Sequence, residues 1–224
     1  MSRSFLIVFA TTILLPIVSL ACSPEASFNG TPLSNGSAPS FQLHDQHSRP
    51  TALADFAGKV VVLTFLYTHC TDVCPVITET LKRTYEGLGD NAEDVQIVTV
   101  SVDPERDTAE AALHYTEERG MLGKWVYLVG SREELKPIWD SYYIAAQMAK
   151  VRISDRSTDV TKNQQVLANG KDKNITALQD ESVGYFINHN SAIYLIDKEG
   201  QLAVLLTNLS LDPKPLLHDI RILL

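Results

Sequence analysis

Two hydrophobic periods alternate along the chain, one typical of strands and the other of helices. Residues 60–66 are apolar except for Thr64, which predicts a strand buried on both faces. Residues 95–102 alternate and are rich in Val and Ile, which predicts a second strand. Between them, residues 76–88 carry apolar side chains at helical spacing. A strand, a helix and a strand in this order predict a parallel sheet covered by helices.

The rest of the chain continues this alternation. Further strands are predicted at 41–45 and 125–129, a helical turn at 53–58, and a hairpin from 192–197 and 201–206. Thr108 is expected to cap a helix that ends near Arg119, Ser131 and Glu134 form a capping box for the next helix, and Asp212-Pro213 opens the last one. Residues 155–181 are polar and predict an excursion from the core. The pattern predicts one α/β domain of the thioredoxin-like type, with a central sheet flanked by helices, an extra N-terminal strand and a polar insertion before the last hairpin.

The N-terminus has the features of an export signal. Arg3 is followed by an apolar stretch at 5–15, and Ala21-Cys22 resembles the end of a bacterial lipobox. We therefore expect a signal peptide at 1–21, a lipidated Cys22 with a flexible tether at 22–40, and a folded domain at 41–224 on the extracytoplasmic face of the cell membrane. Ordinary signal cleavage and an uncleaved anchor are the alternatives, although the apolar stretch is short beside the ~20 residues that span a bilayer.

Composition narrows the class of partner. The 224 residues are 45% hydrophobic and 21% charged, with a formal net charge of −8. These are ordinary values for a globular protein. An acidic chain without a basic patch argues against nucleic acid as a partner, and it suits a cation or a positively charged protein.

Two cysteines lie on the turn between the first buried strand and the helix that follows. With Cys22 assigned to the anchor, Cys70 and Cys74 are the only thiols of the folded domain. At a helix start, positions i and i+4 lie on one face with Cβ atoms about 5–6 Å apart. That spacing suits a shared metal ion, a redox cycle or a static disulfide, and a helix N-terminus favours the thiolate. A disulfide closing so short a loop stabilises a fold little, which weakens the purely structural interpretation.

His189 is the best candidate for a third ligand. It lies just before the strand predicted at 192, in a loop that faces the cysteine turn in thioredoxin-like folds, and it is the only histidine between His114 and His218. Two thiolates and an imidazole suit copper or zinc. Three ligands complete a trigonal copper(I) site but leave zinc one ligand short.

Other polar residues have simpler explanations. His69 adjoins Cys70 and is an alternative ligand, but it is expected to face away, because neighbouring side chains on a strand point to opposite faces. The weak metal-like cluster of His44, Asp45 and His47 is interpreted as a solvated turn. Asp103 and Asp107 could be paired acids, although an Asp-Pro turn and a helix cap explain them equally well.

Four segments together resemble the Sco/SenC family of copper-binding thioredoxin-fold proteins, which help to assemble the CuA centre of cytochrome c oxidase. They lie at 58–65, 67–75, 101–108 and 189–197, and include Thr68-His69-Cys70-Thr71-Asp72-Val73-Cys74-Pro75 and Asp103-Pro104-Glu105-Arg106-Asp107. The resemblance implies that Cys70, Cys74 and His189 bind copper, as Cu⁺ or Cu²⁺, and that Asp72 tunes or orients the site. Two features depart from the family pattern: the long polar stretch at 155–181, and Asn190 where the family often has Ser.

Two classes of function follow. The first is a membrane-tethered metallochaperone that passes copper to the cytochrome c oxidase subunit carrying CuA; the resemblance also admits another copper donor protein or a thioredoxin-like reductant as partners. The second is an extracytoplasmic thiol–disulfide oxidoreductase or thiol peroxidase, with Cys70 as nucleophile and Cys74 as resolving thiol. Thioredoxin-type redox motifs are CxxC, whereas this chain has CxxxC. A metal site needs His189 and dithiol exchange does not, so His189 discriminates between them.

Overall fold

A central sheet with helices against it forms the described part of the chain, which comprises residues 27–34, 36–152, 183–207 and 210–224 of a computed structural model. The strands are β1 (Thr31–Pro32), β2 (Gln42–Asp45), β3 (Pro50–Ala52), β4 (Val60–Leu66), β5 (Val95–Ser101), β6 (Trp125–Val129), β7 (Gln147–Arg152), β8 (Val183–Asn188), β9 (Ile193–Ile196) and β10 (Leu202–Leu206). The helices are α1 (Val73–Leu88), α2 (Ala109–Glu118), α3 (Arg132–Ser141) and α4 (Lys214–Leu223), with 3₁₀ turns at Leu53–Phe56 and Gly89–Asp94.

The sheet has eight strands in the order β1-β10-β9-β4-β5-β6-β2-β3. Strands β4, β5 and β6 are parallel, and β9 joins β4 in antiparallel orientation. Every residue of β4 is buried, because β4 lies in the middle of a sheet covered on both faces. The predicted α/β fold, with its central sheet flanked by helices, is confirmed.

Local signals set the ends of several helices as predicted. The Thr108 hydroxyl accepts a hydrogen bond from Ala111 N at 3.1 Å, and Ser131 and Glu134 form the expected capping box. Helix α1 differs, because it begins at Val73 rather than near residue 76. Pro75 falls within its first turn, where a missing N–H costs nothing, so Cys74 belongs to the helix itself.

A separate two-stranded sheet, formed by β7 and β8, was not predicted from the sequence. The strands pair antiparallel from Gln147 opposite Asn188 to Arg152 opposite Val183. The polar excursion predicted at 155–181 lies outside the described residues. The ribbon matters for function because β8 ends immediately before His189.

The N-terminal segment lies against the sheet edge where the sequence predicted a flexible tether at 22–40. Strand β1 pairs with β10, and the backbone N–H groups of Asn29 and Gly30 each donate to the buried Asp219 carboxylate at 2.8 Å. The reason for the difference is long-range: the partner strand and the carboxylate both come from the C-terminal part of the chain. The docked segment therefore begins well before residue 41.

Candidate metal centre

The two cysteines flank the junction between the central strand and its helix. Cys70 lies in the loop after β4, with its N–H donating to the Tyr67 carbonyl at 3.3 Å, and Cys74 lies in the first turn of α1. Both are free thiols; Cys70 is 6% exposed and Cys74 is fully buried. Cys70 is therefore the slightly more accessible of two buried cysteines.

The environment makes the two thiols chemically unequal. A hydrogen bond from the Cys74 side chain lowers the pKa of Cys70 from 9.0 to about 5 against the opposing effect of burial, with further donors in the backbone N–H groups of Cys74 and Asp72 and in the Tyr67 side chain. The same contact with Cys70, together with burial, raises the pKa of Cys74. Cys70 is therefore the more acidic thiol of the pair, and Cys74 is the less acidic one.

His189 approaches this pair from the loop between β8 and β9. Its Nε2 lies 3.9 Å from Cys74 Sγ, and its Nδ1 lies 3.2 Å from the carbonyl oxygen of Asn190. With Nδ1–H donating to that carbonyl, the Nε2 lone pair faces the thiols, which is the arrangement of metal-binding histidines. Burial lowers the pKa of His189, so its neutral form, the metal-binding form, is favoured.

The three side chains fit a soft metal ion such as copper. A metal–sulfur bond of about 2.3 Å and a metal–nitrogen bond of about 2.0 Å place two ligands about 3.5–3.7 Å apart at tetrahedral or trigonal angles. The observed separation of 3.9 Å between Cys74 Sγ and His189 Nε2 is therefore a few tenths of an ångström too long. Across the described ranges, no three His, Cys, Asp or Glu side chains are already closed around one point. A bound metal ion would have to draw the three ligands toward a common centre.

The other candidate residues near the thiols take different places. Asp72 is exposed at the N-cap of α1, and it contributes its backbone N–H to Cys70 while its side chain makes no capping bond. His69 is also exposed, as expected, and contacts the Thr68 hydroxyl at 2.9 Å through Nδ1. Cys22, the predicted lipidation site, lies outside the described residues.

The turn around Asp45 is structural. His44 and His47 are exposed, whereas the Asp45 carboxylate is buried and accepts hydrogen bonds from the N–H of His47 and from Arg49. The two histidines are solvated as expected from the sequence, whereas the Asp45 carboxylate is buried and holds the turn together.

The buried Asp107 carboxylate holds the cysteine loop in place through Thr68. Its Oδ1 accepts hydrogen bonds from the Thr68 N–H at 3.1 Å and the Thr68 hydroxyl at 2.7 Å, and its Oδ2 accepts from Ser101 and Tyr127. Burial raises the pKa of Asp107, and the hydrogen bonds oppose that rise. Asp107 does not form an acid pair with Asp103; each carboxylate has its own partners.

Asp103 and Arg106 contact the strand that leads to the histidine. Asp103 is fully buried, and its carboxylate binds Arg106 Nε at 2.5 Å and the Tyr185 hydroxyl at 2.7 Å. The Arg106 guanidinium lies 3.7 Å from the centre of the Tyr185 ring. Sequence reasoning missed both Tyr185 and Tyr67. An available signal was the apolar run Val183-Gly184-Tyr185-Phe186-Ile187 immediately before the histidine loop.

The fold and the site define a class, namely thioredoxin-like proteins in which a helix-start thiol pair faces a loop histidine. The chain belongs to the SCO1/SenC family, whose family model matches residues 31–224. The family expected from the four sequence segments is therefore confirmed.

Known proteins place the chain among Sco homologues. Over 166 residues it is 30% identical to the mitochondrial SCO2 homolog of Bos taurus, covering 71% of this chain and 50% of that one. The apo Sco1 of Thermus thermophilus is 28% identical with a TM-score of 0.66, over 90% of this chain and 100% of that one. The copper-bound ScoI of Arabidopsis thaliana is 25% identical with a TM-score of 0.59, over 86% of this chain and 98% of that one. The chain spans about half the length of the mammalian curated relatives it matches.

More distant structures share the fold. A SCO1/SenC family lipoprotein of Bacillus anthracis is 22% identical with a TM-score of 0.63, over 88% of this chain and 99% of that one. BsSco, a member of the Sco family of cytochrome c oxidase assembly proteins, is 18% identical with a TM-score of 0.58, over 87% of this chain and 96% of that one. The described residues of the present chain include no helix that is both long and apolar enough to span a bilayer.

Proposed function

We propose that this protein is a metallochaperone that holds copper through Cys70, Cys74 and His189. The observation that supports it best is the approach of His189 Nε2 to Cys74 Sγ at 3.9 Å, beside a second thiol held as a thiolate. Two soft sulfur ligands and an imidazole are a donor set that copper prefers. Copper, the metal expected from the sequence, is also present in the Arabidopsis relative.

The protein's own groups prepare the site for its cargo. Cys70 offers a thiolate at neutral pH, because its pKa is lowered to about 5. Cys74 must lose its proton before it can bind, so copper uptake releases protons and weakens as the pH falls. His189 needs no deprotonation, because burial keeps it neutral.

Delivery to the subunit of cytochrome c oxidase that carries CuA is the proposed destination. It rests on family membership and on BsSco being described as a member of a family of oxidase assembly proteins. A lipid anchor at Cys22 would hold the domain on the extracytoplasmic face of the membrane, where tethering raises its effective concentration near a membrane enzyme. The lipobox-like Ala21-Cys22 supports this anchor, and the Bacillus anthracis relative is a lipoprotein.

Copper titration of the reduced protein tests the proposal. We expect one tight equivalent of copper(II), with thiolate-to-copper charge-transfer absorption and a defined EPR spectrum. Cys70→Ala, Cys74→Ala and His189→Ala should each abolish tight binding. His69→Ala is the matched control, because it removes an exposed imidazole next to Cys70, and it should bind as the unmodified protein does. Tight binding that survives His189→Ala would refute the ligand assignment.

Thiol–disulfide exchange is the second candidate function, and the acidity of Cys70 favours it. The Cys70 thiolate would attack a substrate disulfide and form a mixed disulfide as one substrate thiolate leaves. Cys74 would then lose its proton and attack Cys70 Sγ, which releases the second substrate thiolate and leaves a Cys70–Cys74 disulfide. The substrate gains two electrons and the protein loses two. His189→Ala should leave this exchange intact while it removes copper binding, which separates the two functions.

A further inference from the structure

The segment from Asp103 to Asp107 contacts both halves of the candidate metal centre. Asp107 binds the cysteine loop through Thr68, and Asp103 with Arg106 binds strand β8 through Tyr185. We call Asp103, Arg106 and Asp107 the brace. The proposed copper chemistry does not use any of these side chains as ligands, so their role needs a separate explanation.

The brace is itself a rigid unit. The N–H of Asp107 donates to the Asp103 carbonyl at 2.9 Å, and the N–H of Arg106 donates to the same carbonyl at 3.2 Å. The Ser101 hydroxyl joins the two carboxylate residues, since it donates to Asp107 Oδ2 at 2.7 Å and accepts from the Asp103 N–H at 3.0 Å. These hydrogen bonds fix the brace locally, and each carboxylate keeps its own partners on one half of the site.

Asp103 and Arg106, at one end of the brace, hold a single residue of strand β8, which is Tyr185. Tyr185 donates its hydroxyl to Asp103 Oδ1 at 2.7 Å, its carbonyl accepts from Arg106 Nη1 at 3.1 Å, and its ring lies 3.7 Å below the guanidinium. Asp103 Oδ2 completes the set by pairing with Arg106 Nε at 2.5 Å. Backbone and side chain of Tyr185 are both fixed, four residues before His189.

These contacts with Tyr185 matter because the main sheet does not fix the position of strand β8. Strand β8 pairs with β7 in a separate two-stranded sheet, so no ladder of backbone hydrogen bonds sets its height relative to β4 and the cysteine loop. Ile187 is buried, and its N–H donates to the Tyr67 hydroxyl at 3.3 Å. In the loop after β8, the Asn190 side chain accepts from the Ala145 N–H at 2.9 Å and donates to the Tyr143 carbonyl at 3.3 Å. The brace adds the described contacts that hold Tyr185 itself.

We propose that Tyr185, held by Asp103 and Arg106, is the positioning residue that sets the distance of His189 from the thiols, and that it thereby controls the copper affinity of the site. This inference rests on the proposed copper function. Tyr185 touches no ligand atom in the structure and acts through the strand that presents His189. Residues that orient a metal ligand typically change metal affinity about 10–100-fold when they are altered.

Tyr185→Phe and Arg106→Lys in the full-length protein test the proposal. Tyr185→Phe removes only the hydroxyl. Arg106→Lys keeps the positive charge but loses the planar guanidinium, which bonds Asp103 and the Tyr185 carbonyl at once. We expect copper(II) affinity, measured by chelator competition, to fall about 10–100-fold in each variant. The EPR and charge-transfer spectra should shift toward those of His189→Ala. The alkylation rate of Cys70 in the metal-free protein should stay unchanged, because Asp107 still anchors the cysteine loop.

Two matched controls lie close by. Arg132→Lys alters an exposed pair with Glu105, on the same segment but outside the brace, and Tyr143→Phe removes a hydroxyl from a side chain that is 82% exposed. Both should bind copper as the unmodified protein does. Normal copper affinity and spectra in Tyr185→Phe and Arg106→Lys would overturn the proposal. An equal loss of Cys70 reactivity would also overturn it, because the effect would then be general unfolding.

A separate measurement keeps this inference distinct from the proposed function. If the unmodified protein bound no copper, the proposed copper function would be wrong. Amide hydrogen exchange of residues 185–190 in the metal-free protein would still test whether Tyr185 holds the strand and loop that carry His189. Faster exchange in Tyr185→Phe than in Tyr143→Phe would support a positioning role for Tyr185. Equal exchange would overturn it.

Discussion

The hydrogen bond between the two thiols predicts how the pKa of Cys70 changes when Cys74 is substituted. This bond is the largest cause that lowers the pKa of Cys70 from 9.0 to about 5. At about pH 7 a pKa of about 5 corresponds to a thiolate-to-thiol ratio of about 100:1, whereas a pKa of 9.0 corresponds to about 1:100. Cys74→Ala removes the donor and Cys74→Ser keeps a hydroxyl in its place. We expect the pKa of Cys70 to rise clearly in the alanine variant and to rise less in the serine variant.

The assay is the pH dependence of iodoacetamide alkylation in the reduced, metal-free protein, with the modified cysteine identified by mass spectrometry. The ultraviolet absorbance of the thiolate gives an independent titration of the same group. Tyr67→Phe should raise the Cys70 midpoint less than Cys74→Ala, since its hydrogen bond is a smaller cause. The backbone N–H donors of Asp72 and Cys74 remain in every variant, so no midpoint should return fully to 9.0. An equal midpoint in Cys74→Ala and in the unmodified protein would show that the thiol–thiol hydrogen bond does not set the acidity of Cys70.

Three further predictions concern the stability of the domain. Gly30→Ala should lower the free energy of unfolding by about 1–3 kcal/mol in a denaturant titration, because the new Cβ would lie 2.5 Å from Val204 Cγ1; an unchanged midpoint would show that the N-terminal segment is not docked in solution. Burial raises the pKa of Asp219, but hydrogen bonds from Asn29 and Gly30 bring it below 3.8, so its stabilisation is present above that pH and lost below it. Asp219→Asn should therefore lower stability at neutral pH and flatten its decline in acid, and an unaltered pH profile would contradict this. Leu81→Ala, at a fully buried position, should cost about 2–5 kcal/mol in thermal unfolding and leave the acidity of Cys70 unchanged.

Local sequence signals predicted most of the fold because they act over a few residues. A short apolar run rich in β-branched residues is typical of a strand covered on both faces, and the run at β4 is one. The caps at Thr108 and Ser131 satisfy the first free N–H groups of their helices whatever the rest of the chain does. Strands β7 and β8 escaped prediction because they pair with each other across a long polar insertion, and pairing at that range has no local signature.

The cysteine pair could likewise be identified from the sequence, because both thiols lie on one turn. The approach of His189 depends on the docking of a distant loop, and the sequence indicated it only through the fold and the family that it resembles. Tyr67 and Tyr185 were missed because a tyrosine beside an apolar run is usually an ordinary core residue. Their contacts with Cys70, Asp103 and Arg106 exist only once β4, β8 and the loop after β5 come together.

Neighbouring residues and their spacing were enough to predict β4, β5 and β6, the helices between them, the cysteine turn and the family. The role of the acidic segment after β5 depends instead on the tertiary structure. In the sequence, Asp103 and Asp107 look the same as any Asp-Pro turn and helix cap. In the fold, one is fully buried against Arg106 and Tyr185, and the other accepts four hydrogen bonds beneath the cysteine loop. A buried carboxylate is stable only with such partners, and some of them, such as Thr68 and Tyr185, lie far away in the chain.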